Sequence, residues 1–128
     1  MTDNNRTQLY LITPPKLDLA IFSGTLERTL DAGHVAGIQL RLKDTTEDDV
    51  RQAIDSLKQI TQDRGVAFLL NDDPALAAET GCDGVHVGQE DATYGDARKA
   101  IGPDAIVGVT CHASRHLGME AAEQGADY

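Results

Sequence analysis

Strand-length apolar runs begin near residues 9, 37, 66, 84, 105 and 126, and a stretch of helical periodicity fills each gap between them. A βα unit that recurs every 18 to 29 residues, with no hairpin signal, predicts a parallel α/β sheet, because parallel neighbours need a crossover of that length. Two layouts satisfy the pattern: a doubly wound open sheet and a (β/α)8 TIM barrel. No Gly-x-Gly-x-x-Gly follows the first run, which speaks against the dinucleotide-binding form of the open sheet. At 128 residues the chain holds one core rather than two domains, and five complete units with a stub of a sixth are not eight. The expectation for residues 1–128 is a single, partial barrel domain, cut off before its last strands.

Each element carries its own punctuation. Leu9–Thr13 reads as a strand stopped by Pro14-Pro15, and the helix after it sets Leu19, Ile21, Phe22, Leu26 and Leu30 on one side with Gly33 as its cap. Thr45 to Asp49 marks a helix start with acids in its first turn; Val50, Ile54, Leu57 and Ile60 or Thr61 form its apolar stripe as far as Arg64-Gly65. Val66–Leu70 is a continuous apolar strand. Pro74 suits the first turn of the next helix, which Asp72 or Asp73 would cap and Gly81 would end. Gly84–Gly88 and Ala105–Thr110 read as strands, Tyr94–Ala100 and Ser114–Gln124 as helices, and Ala126-Asp127-Tyr128 as the start of strand six.

Gly37 to Asp44 is the anomaly among these runs. Ile38, Leu40 and Leu42 take one face of the strand, and Gln39, Arg41 and Lys43 the other. In a parallel sheet covered on both sides, two cations and an amide would point inward. Burying unpaired charge costs several kcal/mol, so such a face makes sense when something anionic meets it. It is a local exception in a chain with 11 basic and 21 acidic side chains and a formal net charge of −10, a balance that repels nucleic acid and anionic membrane. No apolar run approaches the roughly 20 residues of a membrane helix, and Met1-Thr2-Asp3-Asn4-Asn5 lacks the basic start and apolar centre of a leader, so the expected location is the cytoplasm. Cys82 and Cys111 show no paired spacing and are read as reduced and structural.

The remaining unusual polar residues gather where strands end, the rim at which parallel α/β folds bind ligands. Asn71 and Asp72 follow strand three, Gln89-Glu90-Asp91 follows strand four, and Thr110 closes strand five. Asp72 and Asp91, on neighbouring strands, have the chemistry to share one Mg²⁺, a hard ion that takes one or two carboxylates together with water and substrate phosphate. Arg41, by its planar fork, and Lys43, as a point charge, would hold other phosphate oxygens, and together these groups describe a diphosphate site. Blander readings stand beside this one. Asp72 is also a candidate helix cap, and Arg41 a candidate for a plain ion pair with an aspartate. His86, between Val85 and Val87, is either structural or a member of the site, and His112, just past strand five, divides between loop structure and catalysis. His34 and His116 are expected in solvent, Tyr10 in the core, and Glu47-Asp48-Asp49 on a solvated helix start.

In order and spacing, these motifs resemble the thiamine phosphate synthase family over residues 8 to 128. Gln39-Leu40-Arg41-Leu42-Lys43 is similar to its Gln-x-Arg-x-Lys strand and Asn71-Asp72 to its Asn-Asp pair. Gly84 to Asp91 is similar to its Gly-x-His-x-Gly-Gln-x-Asp segment, Gly108-Val109-Thr110 to its Gly-x-Ser, and Gly125-Ala126-Asp127-Tyr128 to its lead into strand six. The resemblance implies a (β/α)8 barrel that joins hydroxymethylpyrimidine diphosphate to a thiazole phosphate and releases pyrophosphate. It assigns Gln39, Arg41, Lys43 and Asn71 to the pyrimidine diphosphate and Asp72 and Asp91 to Mg²⁺. Thr110 stands where the family usually has Ser, which keeps the hydroxyl and adds a methyl. The implied reaction is dissociative: pyrophosphate leaves first and the thiazole nitrogen captures a pyrimidine cation, so charge stabilisation matters and no nucleophile or strong base is required. The family's loop after strand six and its glycine-rich phosphate site after strands seven and eight have no counterpart here, so the fragment alone is expected to lack the second substrate's half of the site. Its open sheet edges lead to the expectation either of a piece of a longer chain or of pairing with another chain, a homo-oligomer among the options. Two other classes stay open: a thiazole tautomerase-like isomerase using His112, and a non-catalytic half-barrel that binds phosphate or assembles with a partner.

Overall fold

The computed structural model describes residues 6–128 and bears out the alternation of strand and helix. The stretch Met1–Asn5, read above for leader features, lies outside the described residues. Five strands, β1 (Tyr10–Ile12), β2 (Gly37–Leu40), β3 (Ala67–Asn71), β4 (Gly84–Val87) and β5 (Ile106–Val109), form one parallel sheet in the order of the chain, β1-β2-β3-β4-β5. A doubly wound sheet reverses strand order at a switch point. Sequential order therefore selects the barrel layout, here as an arc that does not close.

The helices are α1 (Leu19–Ala32), α2 (Glu47–Gln62), α3 (Pro74–Glu79), α4 (Tyr94–Ile101) and α5 (Arg115–Gln124). All five open on the same device, a polar side chain that accepts a backbone N–H three residues on: Asp18 from Ile21, Thr46 from Asp49, Asp73 from Leu76, Thr93 from Asp96 and Ser114 from Leu117. Gly125, left-handed at φ 107°, ends α5. The core lies between helices α1 to α4 and one face of the sheet, where Ile38, Leu40, Phe68, Leu70, Val85, Val87 and Val107 meet Leu26, Leu30, Ile54, Leu57, Leu76 and Ala97. Each large side chain buried there is worth about 1.5–3 kcal/mol. Ile21, expected on the apolar side of α1, is 69% exposed, because it sits one residue off the Phe22–Leu26–Leu30 stripe. His34 and His116 are exposed as expected, with His116 Nε2 3.2 Å from Glu120.

The opposite face carries Tyr10, Ile12, Gln39, Leu69, Gly84, His86, Ile106 and Gly108, with Gln39 in register with Ile12 and Leu69, and His86 with Asn71 and Gly108. The expectation of cover on both sides holds in part: Gln39 and Leu69 on this face are 2% and 1% exposed, whereas Ile12, on the edge strand β1, is 55% exposed. β2 is also shorter than its alternation suggested. The Arg41 N–H donates to Thr13 Oγ1 (2.9 Å) and the Lys43 N–H to Pro15 O (3.0 Å), so the β1–α1 loop takes over from the ladder and both cations sit beyond the strand's end. Gly84 is required by close approach: a Cβ there would stand 2.3 Å from Ile106 O.

Two aspartates repeat one structural job. Asp83, before β4, donates its N–H to Phe68 O (2.8 Å) and accepts the Phe68 N–H at Oδ2 (2.8 Å). Asp127 does the same for Val107, at 2.9 and 2.8 Å, with Arg98 bound to the same Oδ2 at 2.9 Å. The sixth strand expected over 126–128 is not formed. Its two backbone bonds to β5 use the N–H of Asp127 and the C=O of Tyr128, whereas a parallel bridge uses both groups of one residue. Among the described residues no helix is long and apolar enough to cross a membrane, and both cysteines are free, Cys82 buried and its thiol pushed up by that burial.

Candidate functional site

A cavity of about 510 Å³ opens at the C-terminal ends of the strands, and its wall includes all nine residues singled out from the sequence: Gln39, Arg41, Lys43, Asn71, Asp72, His86, Asp91, Thr110 and His112. Tyr10, Ile12, Gln89 and Glu90 complete much of the remainder. Residues from strands β1 to β4 and from the loops after β2, β3, β4 and β5 thus reach one space.

The charged half forms from β2, β3 and the loop after β4. Asp73, not Asp72, caps α3, which leaves the Asp72 carboxylate to the cavity and answers the helix-cap reading. Asp72 itself is left-handed at φ 73°, uncommon outside glycine, and its N–H donates to His86 O at 2.8 Å. Lys43 Nζ lies 3.2 Å from Asp72 Oδ2. Asp91 is pinned from behind, its Oδ2 accepting the Gly88 N–H at 2.7 Å. The two carboxyls stand within hydrogen-bonding reach of each other; partial burial first, then Asp91, push the Asp72 carboxyl above the usual aspartate range against the pull of Lys43. Arg41 is exposed and forms no ion pair among the described residues, so the plain ion-pair reading does not hold.

The uncharged half lines the inner face. Gln39, only 2% exposed, donates from Nε2 to Tyr10 OH at 3.1 Å. Tyr10 is therefore part of the cavity wall rather than the core, and burial pushes its phenol up. Its hydroxyl bonds to that of Tyr128, whose ring lies across Gly108 and whose OH is 3.1 Å from His86 Nδ1. His86 Nε2 is 2.6 Å from Thr110 Oγ1, and Gln89 Nε2 donates to Thr110 O at 2.8 Å. Burial holds His86 below its ordinary range, so its imidazole is neutral near pH 7. His112, left-handed at φ 50°, is exposed on the wall and makes no side-chain hydrogen bond among the described residues. Tyr10 and Tyr128 were missed as members of this network. The alternation of β1 carries the signal for Tyr10, since it puts Tyr10 and Ile12 on one face; the Tyr128 contact, 118 residues away, has no local signal.

The donor set has a definite chemistry. Asp72 and Asp91 offer carboxylate oxygens, and no group of three or more metal-ligating side chains exists among the described residues. Two converging carboxylates beside free cation-rich space suit a hard divalent ion that takes its other ligands from water and phosphate. They do not suit an all-protein nitrogen or sulfur cage.

Residues 9–128 match a family model described as thiamine monophosphate synthase. The thiamine-phosphate synthase of Rhodospirillum centenum (strain ATCC 51521 / SW) is 59% identical over 128 residues, an alignment that covers 100% of this chain and 60% of the relative. That of Hyphomonas neptunium (strain ATCC 15444) is 46% identical over 128 residues, covering 96% and 58%. Among solved structures, a thiamine phosphate pyrophosphorylase from Pyrococcus furiosus superposes with a TM-score of 0.77 at 29% identity, over 94% of this chain and 57% of that one. The chain spans about three fifths of the length of the curated relatives it matches.

Proposed function

The chain belongs to the thiamine monophosphate synthase family, and from that premise we propose that it carries the diphosphate-holding part of a thiamine-phosphate synthase site. The substrate held is hydroxymethylpyrimidine diphosphate, the co-substrate a thiazole phosphate, and the product leaving this half is pyrophosphate. The observation that carries the reading is the meeting of Arg41, Lys43, Asp72 and Asp91 on one cavity at the ends of β2, β3 and β4.

Asp72 and Asp91 would hold Mg²⁺, which when bound supplies Lewis-acid stabilisation of charge on the departing diphosphate. Arg41 offers its fork to phosphate oxygens, and Lys43 turns from Asp72 toward the diphosphate once the carboxylates have another cation to face. Gln39, Asn71 and Thr110 line the same cavity and orient the ester by hydrogen bonds. Each preorganised contact to the leaving group is worth about 3 kcal/mol of barrier, about a hundredfold in rate. No nucleophile or strong base enters this scheme. Among the described residues His112 has no side-chain hydrogen-bond partner to orient it, which disfavours a tautomerase-like use of that residue. Free Cys82 and Cys111 suit a reducing compartment such as the cytoplasm.

Calorimetric titration of the chain with inorganic pyrophosphate tests this directly. Saturable 1:1 binding is expected in excess Mg²⁺, weakened at least tenfold by EDTA or by Asp72→Asn. Equal binding with and without Mg²⁺, or no binding at all, would overturn it.

A further inference from the structure

Tyr10, Gln39, His86, Thr110 and Tyr128 come from five separate segments, yet they form one unbranched line of hydrogen bonds across the inner face. Gln39 Nε2 donates to Tyr10 OH at 3.1 Å, and the Tyr10 and Tyr128 hydroxyls bond to each other. Tyr128 OH is 3.1 Å from His86 Nδ1, and His86 Nε2 is 2.6 Å from Thr110 Oγ1. Every phenol carries one proton, and a neutral imidazole has one donor and one acceptor nitrogen. A phenol oxygen, with one lone pair drawn into the ring, is a poor acceptor of a second bond, so the bond from Gln39 sets the direction of the rest. Tyr10 receives from the Gln39 amide and gives to Tyr128; Tyr128 gives to Nδ1; the imidazole proton then sits on Nε2 and is given to Thr110. Thr110 Oγ1 receives, so its own proton is left over. Gln89 serves the Thr110 carbonyl and not its hydroxyl, and Thr110 borders the cavity.

The geometry points to a directional relay in which Tyr10, Tyr128 and His86 are positioning residues that hold the Thr110 hydroxyl as a hydrogen-bond donor toward an acceptor atom of the bound diphosphate ester. The buried Gln39 amide, 2% exposed, is the element that sets the polarity. Reversed, the same line would present Thr110 lone pairs and repel an anionic or lone-pair-bearing ligand. The identity of the ligand rests on the function proposed above; the direction of the relay does not.

Long-range nitrogen–proton correlation spectra of the ¹⁵N-labelled chain report which imidazole nitrogen carries the proton. The expected result is His86 protonated on Nε2, and a shift to mixed tautomers in Tyr10→Phe, with the backbone amide spectrum showing that the fold is kept. A proton on Nδ1 in the unaltered chain, or a tautomer that Tyr10→Phe leaves unmoved, would overturn the relay. A binding cycle adds a second readout, with hydroxymethylpyrimidine diphosphate and Mg²⁺ as the probe. Thr110→Val should weaken binding about fivefold. Tyr10→Phe should weaken it in the parent and do nothing further in the Thr110→Val background. Fully additive losses would refute action through Thr110. Absence of any diphosphate binding would count against the proposed function alone, and the tautomer would then decide the relay.

Discussion

Asp91→Asn separates what the carboxylate pair does for binding from what it does to stability. Asn keeps an oxygen that can accept the Gly88 N–H, now 2.7 Å from Asp91 Oδ2, so the loop after β4 holds its shape. What changes is charge. Carboxylates within hydrogen-bonding reach place their charges about 4 Å apart, which at water-like permittivity is about 1 kcal/mol of repulsion. That weak value applies because the Asp72 side chain is 40% exposed and Asp91 stands at the rim. Lys43, 3.2 Å from Asp72, already offsets part of it. The metal-free variant should therefore be more stable than the parent by about 0.5–1 kcal/mol. Mg²⁺ at ten times its dissociation constant should stabilise the parent by about 1.4 kcal/mol and the variant hardly at all. Urea unfolding at pH 7, in EDTA and in Mg²⁺, should show the two proteins exchange rank. A variant less stable than the parent in EDTA, or equal gains from Mg²⁺ in both, would refute the reasoning.

The same pair sets a pH dependence. With its carboxyl raised above the ordinary 3.8 by burial and by Asp91, Asp72 binds its proton more tightly in the folded state, so its contribution to stability falls as pH rises from 3.8 through the raised value. In EDTA the parent's stability minus that of Asp72→Asn should fall with pH across that window; a difference that climbs would contradict it. Gly84→Ala puts a methyl 2.3 Å from Ile106 O and 2.7 Å from Ile106 Cβ, atoms that cannot swing away. A loss of about 3 kcal/mol is expected in urea unfolding, with weaker Mg²⁺–pyrophosphate binding because β4 carries His86 to the cavity. Stability within about 0.5 kcal/mol of the parent would show that the strands part without cost.

The helices were legible because their caps are local: Thr46 and Ser114 speak for themselves three residues before the amides they serve. From element spacing alone the barrel layout was one of two options, since strand order is a long-range fact; the motif resemblance chose it. The cavity was legible through the strand-end rule, which needs no distances. The end of β2 was not. Alternation continues through Lys43, but Thr13 and Pro15 capture the Arg41 and Lys43 amides, and no pattern near residue 41 announces an acceptor near residue 13. The cap of α3 stayed open between Asp72 and Asp73 for a related reason. Both have the right chemistry, and only the left-handed turn at Asp72 decides which carboxylate faces the helix. Tyr10 was assigned to the core because apolar neighbours outweigh one hydroxyl until its partner across the sheet is known.

The sheet order has a consequence for how the chain reaches this state. Every ladder joins a strand to the one made just before it, with partners separated by 15 residues for Leu69 and Gly84 and by 30 for Gly37 and Ala67. Closure entropy rises only slowly with such short loops, so no step must wait for a distant segment to arrive. An emerging polypeptide can add one hairpin-free unit at a time onto a growing edge, as bricks join a curved wall. The price is that the leading edge stays adhesive until the next course is laid, which makes pauses during synthesis the moment of greatest risk for misassembly.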